Sequence, residues 1–134
     1  MVELDPRGLE ILSREECLRL LEPGGVGRLA WVVRNHPVIR PVNFALDDHR
    51  LVIRTGAGSI YIAATSSLPA TFEIDKTRNV DHTAWSVVVN GTIRVADDNV
   101  ARQLPLRSWA PVRSDHFVEI SIADVSGRRI GPDR

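Results

Sequence analysis

Three runs rich in β-forming residues, separated only by short turns, do most to limit what this chain can fold into. Val26 to Val33 is the first, Arg34-Asn-His-Pro37 turns the chain, and Val38 to Leu46 is the second. Asp47-Asp-His49 makes the next turn and Leu51 to Thr55 the third run. Connections this short join antiparallel strands, because a parallel crossover needs about a dozen residues or more. The three runs therefore predict a meander. Further on, Leu68, Ala70, Phe72 and Ile74 alternate with Pro69, Thr71, Glu73 and Asp75, a strand with one wet face. Pro69 belongs near its start or on an edge. Lys76 to Thr83 reads as a polar loop, and Ala84 to Val95 as a long strand in which Gly91 predicts a bend or bulge. A last strand runs from Phe117 to about Ile122, ahead of Ser126-Gly-Arg-Arg-Ile130.

Helical signals are few. Ser13-Arg-Glu-Glu16 is a capping box, with Cys17, Leu18, Leu20 and Leu21 at helical spacing and Pro23-Gly24-Gly25 as the stop. A short helix is expected near Ser59 to Ala64, and another within Asp97 to Leu104, capped by Asp97 or Asp98. Residues 1–12 read as an N-terminal arm with apolar anchors at Leu4, Leu9, Ile11 and Leu12. Pro105 and Pro111 bracket an irregular segment carrying Trp109. The expectation is a single domain, residues 1–134, mainly β: an antiparallel six-stranded barrel with short flanking helices. Too few helices separate the strands for a parallel doubly wound sheet.

Charge narrows the partners. Seventeen basic and 17 acidic residues cancel, so no whole-chain field steers the protein to nucleic acid or to an anionic membrane. The low aromatic content also argues against single-stranded nucleic acid, which needs a basic groove with interleaved rings. Apolar runs are strand length, far short of a bilayer span, and the start lacks a signal-peptide layout. The lone Cys17 forms no internal disulfide, suits a reducing cytoplasm, and lies on a helix's apolar stripe as buried filler.

The segment Leu51-Val-Ile-Arg-Thr-Gly-Ala-Gly-Ser-Ile-Tyr-Ile-Ala-Ala64 reads as strand, glycine turn and helix start. Such a junction aims free backbone N–H groups at one point and favours an anion there. Gly56 and Gly58 open the approach; Ser59 serves as N-cap or offers its hydroxyl to the guest; Arg54 and Thr55 add a charge and a second hydroxyl. A phosphate suits this construction. An ordinary tight connection with an internally satisfied cap explains the same residues. It is neither a Walker loop nor a dinucleotide fingerprint.

Other candidates carry less. His36, His49, His82 and His116 fall in separate loops or at a strand start, have no shared ligand spacing and read best as surface loop histidines, so no metal site is expected. No Ser-His-acid order with a nucleophile elbow is present. Glu73 and Asp75 could pair as carboxylates, or simply line the wet face of a strand. Trp31 reads as core or dimer packing. Trp85 could stack on a planar ligand or cap the barrel. Trp109, between Arg107 and Arg113, could border an anionic pocket or pin its segment to the barrel.

Taken in order, several pieces carry a resemblance. They are Gly27-Arg-Leu-Ala30, Val38-Ile-Arg-Pro-Val-Asn-Phe44 after Pro37, Ile53-Arg-Thr with Gly58-Ser59, Ala70-Thr-Phe-Glu-Ile-Asp75, Trp85-Ser-Val-Val-Val-Asn-Gly91 and the tail Ser126-Gly-Arg-Arg-Ile130. The chain resembles the pyridoxamine 5'-phosphate oxidase-like family of flavin-binding split-barrel proteins. The resemblance implies a split β-barrel, a homodimer, and flavin mononucleotide (FMN) bound between the subunits. It places Arg40, Pro41, Val42 and Asn43 along the flavin ring, Arg54, Thr55, Ser59, Ile60 and Tyr61 at the phosphate, and Trp85 and Ser86 over the cofactor. Where members of the family carry basic residues after the Gly-Ser, this chain has Ile60 and Tyr61. One charged hydrogen bond to a buried phosphate is worth about 1.5–3 kcal/mol.

The resulting expectation is a cytoplasmic flavin-dependent oxidoreductase that passes hydride to or from a small-molecule substrate, with no catalytic acid or base named. A deazaflavin-dependent reductase of the same fold is one alternative. A non-catalytic flavin- or haem-binding or sensing module is another. The family name does not by itself specify a pyridoxamine phosphate substrate, which one sequence leaves open.

Overall fold

A computed structural model describes residues 2–106 and 116–131. In chain order the elements are β1 (Glu10–Ile11), α1 (Arg14–Leu21), β2 (Gly25–Val33), β3 (His36–Asp47), β4 (Arg50–Thr55) and α2 (Ser59–Thr65). They continue with β5 (Pro69–Arg78), β6 (Thr83–Val95), α3 (Asp98–Ala101), β7 (His116–Ser121) and β8 (Asp124–Ile130). Trp109, Arg107 and Arg113 lie outside the described residues.

The meander is present as expected: β2 pairs β3 from Gly25↔Phe44 to Val33↔His36, and β3 pairs β4 from Phe44↔Ile53 to Asp47↔Arg50. Its first turn is tighter than expected. Only Arg34 and Asn35, both at positive φ, form the loop, and His36 and Pro37 already belong to β3.

Six strands close a ring in the order β2, β3, β4, β7, β6, β5, with β5 returning to β2. The antiparallel six-stranded barrel is therefore observed. Two further strands, β1 and β8, were not expected; β8 rides on the first half of β6, and β1 on β8. The polar loop expected over residues 76–83 is also shorter, because β5 runs to Arg78 and β6 starts at Thr83.

The partner exchange along β6 closes the ring. Ala84 to Asn90 pair β8, whereas Ile93 to Val95 pair β7. Gly91 sits at the exchange. A Cβ built there would lie 1.8 Å from the Ser121 carbonyl oxygen, so only glycine lets β7 approach. No bulge forms on the other side, where pairing with β5 runs unbroken from Pro69↔Thr92 to Arg78↔Thr83.

The interior is filled by alternate residues of the six strands. Leu29, Phe44, Ile53, Phe72, Val87, Val89, Ile93, Val118 and Ile120 are buried there, with Phe44 and Phe72 edge to face at 4.7 Å. A smaller apolar cluster lies outside the ring, where Ala45, Val52 and Phe117 meet Ala96, Ala101 and Leu106.

α1 begins as its capping box predicts, with Ser13 Oγ accepting from the Glu16 N–H at 3.2 Å. It lays Cys17 on β8 at Gly127, where an added Cβ would come 2.8 Å from Cys17 Sγ. The Asp97 carboxylate accepts from the Asn99 N–H and caps α3. No helix among the described residues is long and apolar enough to cross a membrane.

Candidate cofactor site

A fork between β3 and β4 organises the candidate site. Their ladder ends at Phe44↔Ile53. One residue further, Asn43 and Arg54 stand on diverging strands. β3 runs outward through Asn43, Val42, Pro41 and Arg40 with β2 alone as its partner, so its other edge carries no strand among the described residues. Pro37 and Pro41 fit this, because proline is tolerated where its missing N–H would have faced away from the ladder. Val42 is buried, Asn43 half-buried, and Arg40 and Pro41 are exposed. The Arg40 guanidinium folds back to donate to the Ile39 carbonyl at 2.9 Å.

On the other arm, Arg54 and Thr55 pair Phe117 and His116 of β7 before the chain turns into α2. Strand alternation sends their side chains to opposite faces. Arg54 lies over the Phe117 ring at 5.7 Å, and Arg102 stands at the same distance from that ring. Thr55 shares the face of the core residue Ile53. Ser59 is not the N-cap. Gly58 is, with no side-chain cap hydrogen bond, and Ser59 is the exposed first residue of the helix.

Ile60 and Tyr61 pack against the main core. The Tyr61 ring meets that of His116 at 4.2 Å. At seven residues α2 is just under two turns, so a guest anion would depend more on hydroxyls and cations than on the helix dipole.

Trp85 and Ser86 lie elsewhere in the same chain. β2 and β5 separate them from β3, three ladder steps of about 4.8 Å each. They also face opposite ways: Ser86 shares the row of Asp75 and Arg128, and Trp85 the row of Lys76 and Arg129. One chain thus carries residues 40–43 and 54–61 on the two arms of the fork, and holds Trp85 and Ser86 on a strand three ladder steps from β3.

Glu73 and Asp75 do share a face, and Arg28 holds both. Its Nε lies 2.8 Å from Glu73 Oε1, and its terminal nitrogen 3.2 Å from Asp75. Burial and the Asp75 neighbour push the Glu73 carboxyl upward against the pull of Arg28. This is an ion-paired cluster opposite Pro41, whose carboxylates are engaged by the guanidinium.

His36, His49 and His82 are exposed at hairpin ends. His116 stands at a strand start, as the first residue of β7, but departs from the surface expectation: it is half-buried and joins Thr55 and Tyr61 at the candidate phosphate end. His116 and Arg102 are the two side chains of this region that sequence reasoning missed. The signal for His116 was its place directly before the apolar Phe117-Val118, at the start of the last predicted strand. Trp31 is buried, 4% exposed, and its indole Nε1 has no hydrogen-bond partner among the described residues.

With this geometry in hand, comparison with known proteins is decisive for the family. Residues 13–129 match the family described as pyridoxamine 5'-phosphate oxidase. The chain belongs to the pyridoxamine 5'-phosphate oxidase family.

An uncharacterized protein of Mycobacterium tuberculosis is 35% identical over 130 residues, covering 91% of this chain and 86% of the relative. Among solved structures, the FAD binding protein of Mycobacterium smegmatis is 30% identical with a TM-score of 0.74, covering 89% of this chain and 96% of that one. A FAD-binding protein of Mesorhizobium loti is 25% identical with a TM-score of 0.78, covering 92% and 99%. The fold is the flavin-binding split barrel that these neighbours share.

Proposed function

We propose that this member of the family is a flavin-dependent oxidoreductase acting as a cytoplasmic homodimer, with one cofactor at each fork. The observation that carries the reading is the fork itself, where β3, paired there with β2, diverges from the Arg54–Tyr61 segment in a chain whose similar structures include FAD-binding proteins.

The residues present fit a flavin phosphate. Thr55 and Ser59 supply hydroxyls, Arg54 supplies a cation from the opposite face of the strand's end, and Gly58 leaves open space at the turn, since a Cβ there would meet nothing within 4 Å. Ile60 and Tyr61 supply no charge; they seat the helix on the core. The backbone of β3 from Arg40 to Val42 is suited to hydrogen-bond the polar rim of a flat ring, Asn43 to border it, and Val42 to pack beneath it.

Trp85 and Ser86 complete the site from a second copy, since they lie too far from the fork within one chain. Exposed Val32 and Ile39 beside that edge provide apolar surface for such a contact. Bound there, a flavin would supply reversible hydride acceptance at its ring. The chain's part is to hold the phosphate, orient the ring and exclude water from one face for a small-molecule substrate.

The test is an absorption spectrum of the purified protein, then titration with FMN, FAD and a deazaflavin cofactor, with the mass in solution measured alongside. Micromolar flavin binding by a dimer, weakened at least tenfold by Arg54→Ala with Ser59→Ala, is the expected result. Binding of the deazaflavin alone would favour the reductase variant, which the uncharged Ile60 and Tyr61 also favour. A cofactor that binds but never turns over with any reductant would favour the sensing module. If none binds, the oxidoreductase reading fails.

A further inference from the structure

The outer face of β4, β7 and β6 changes character along its length. Near the fork it is apolar, where Phe117 and Ala96 belong to the cluster outside the ring. Toward the β3–β4 turn it becomes polar and opens into a hollow of about 390 Å³. Strand register explains the opening. Asp47, Arg50 and Ser121 stand in one row, and Glu119 and Arg94 side by side in the next. Ser121 is a short side chain among long ones, and its Oγ accepts from the Thr92 N–H at 3.1 Å. The hollow lies over this short pair, at the opposite end of the β3–β4 ladder from the fork.

One wall is braced from within. The Arg50 guanidinium bridges Asp47 at 2.9 Å and Glu119 at 2.8 Å, and the three side chains are between 22% and 31% exposed. Each carboxylate spends one oxygen on this bridge, Oδ2 of Asp47 and Oε2 of Glu119. The second oxygen of each has no partner among the described residues. Arg94 stands beside Glu119 in the ladder, yet makes no ion pair among the described residues, the Glu119 carboxylate being held by Arg50 instead. At the turn, Asp48 adds a third carboxylate, 3.4 Å from the exposed His49. Every residue lining the hollow is polar. Three carboxylates thus face two guanidinium groups, of which Arg50 is already engaged on both sides.

We infer that this hollow is a binding site for a free basic α-amino acid such as lysine. The carboxylate pairs with Arg94 and the α-ammonium group with the open oxygen of Glu119. The side chain crosses above Ser121 and brings its ammonium group to Asp47 and Asp48. Glu119 on β7 and Asp47 on β3 are two strand steps of about 4.8 Å apart, a span that a four-carbon chain bridges with a hydrogen bond at each end. An apolar guest would find no apolar wall, and a dicarboxylate would meet three acids with one open cation. A zwitterion of net positive charge matches both the open guanidinium and the excess of acid. The braced Asp47–Arg50–Glu119 wall needs little further ordering, which lowers the cost of binding. The site stands independently of the flavin reading.

The experiment titrates L-lysine into the full chain by calorimetry, beside L-lysinamide, which lacks the carboxylate, and L-norleucine, which lacks the side-chain ammonium group. Lysine is expected to bind saturably, and each analogue at least about tenfold more weakly, the effect of one charged hydrogen bond. Lysinamide carries more positive charge than lysine, so its weaker binding separates a built site from general attraction to acids. Arg94→Gln, at an exposed position, should melt like the parent, weaken lysine about tenfold and abolish the preference over lysinamide. Arg94→Lys should restore part of both. Lysinamide binding as tightly as lysine overturns the inference. So does an unchanged lysine affinity in Arg94→Gln, or the absence of saturable binding at roughly 10 mM lysine. No flavin is needed for the titration, so a failure of FMN binding does not affect this result.

Discussion

The rings of Tyr61 and His116 lie against each other, centroids 4.2 Å apart and planes tilted by 36°. This contact fastens α2 to the first residue of β7, directly across from Thr55. Tyr61 is therefore held by the barrel end as well as by its own helix. The Thr55–Ser59 turn is braced on both sides at the point where a phosphate is proposed to bind.

Loss of that ring contact should be measurable. Tyr61→Leu keeps apolar bulk and is expected to lower stability by about 0.5–1.5 kcal/mol, or roughly 2–6 °C in Tm. His116→Ala should cost a similar amount, and the double variant less than the sum. Strict additivity in urea melts would show that the contact contributes nothing.

Gly91→Ala is expected to be far more damaging. Its Cβ would meet a backbone oxygen of β7, which cannot move without opening the ring, so the cost is about 3 kcal/mol or more. Gly58→Ala, into open space, should cost at most about 1 kcal/mol, the difference between glycine and alanine at a helix N-cap. Equal denaturation midpoints for the two variants would contradict the ring closure described here.

The N-terminal arm should loosen with acid. Asp5 accepts from the Leu9 and Arg7 N–H groups at 3.0 and 2.8 Å and from Arg128 Nε at 3.1 Å. The backbone bond from Leu9 leads in holding its carboxyl below the ordinary 3.8, against the opposing effect of burial. A depressed carboxylate stabilises the fold fully above its unfolded value, and the contribution is lost as pH falls through the folded value. The Tm gap between the parent and Asp5→Asn should therefore be widest above about pH 5 and should close below pH 3.8. A gap that stays constant across that range would rule out the anchor.

Cys17 should be unreactive in the native protein. It is fully buried between α1 and β8, and burial, reinforced by Glu16, pushes its thiol up. A thiol reagent should label it only as fast as the protein unfolds, even at pH 9, and addition of urea should release the full equivalent. Rapid labelling without denaturant would mean that α1 opens on its own.

The missed strand β8 shows where sequence reasoning stopped. Its inward positions are Val125, Gly127 and Arg129, so the usual apolar alternation is absent. The space above Gly127 is filled by Cys17 and Leu12, which lie far away in the chain. The β5–β6 hairpin ran longer than expected for a related reason. Lys76, Thr77 and Arg78 look like loop, yet they pair with Trp85, Ala84 and Thr83 because the ladder already formed carries them along. Arg28 illustrates the same limit at the site. Glu73 and Asp75 were legible as a same-face pair, but the arginine that clamps them comes from another strand.

By itself the sequence determined the local elements. Alternation and short turns specified the meander, the capping box specified α1, and the glycine turn after Thr55 specified a helix start. These depend on residues within a few positions of one another, where backbone sterics and periodicity act directly. The tertiary structure alone decided how β6 divides between β7 and β8, that Thr55, Tyr61 and His116 converge, and that Trp85 lies away from the fork within one chain. Such relationships depend on which distant strands pair. Pairing is set by closing a ring around one shared core, and no stretch of sequence contains that core alone.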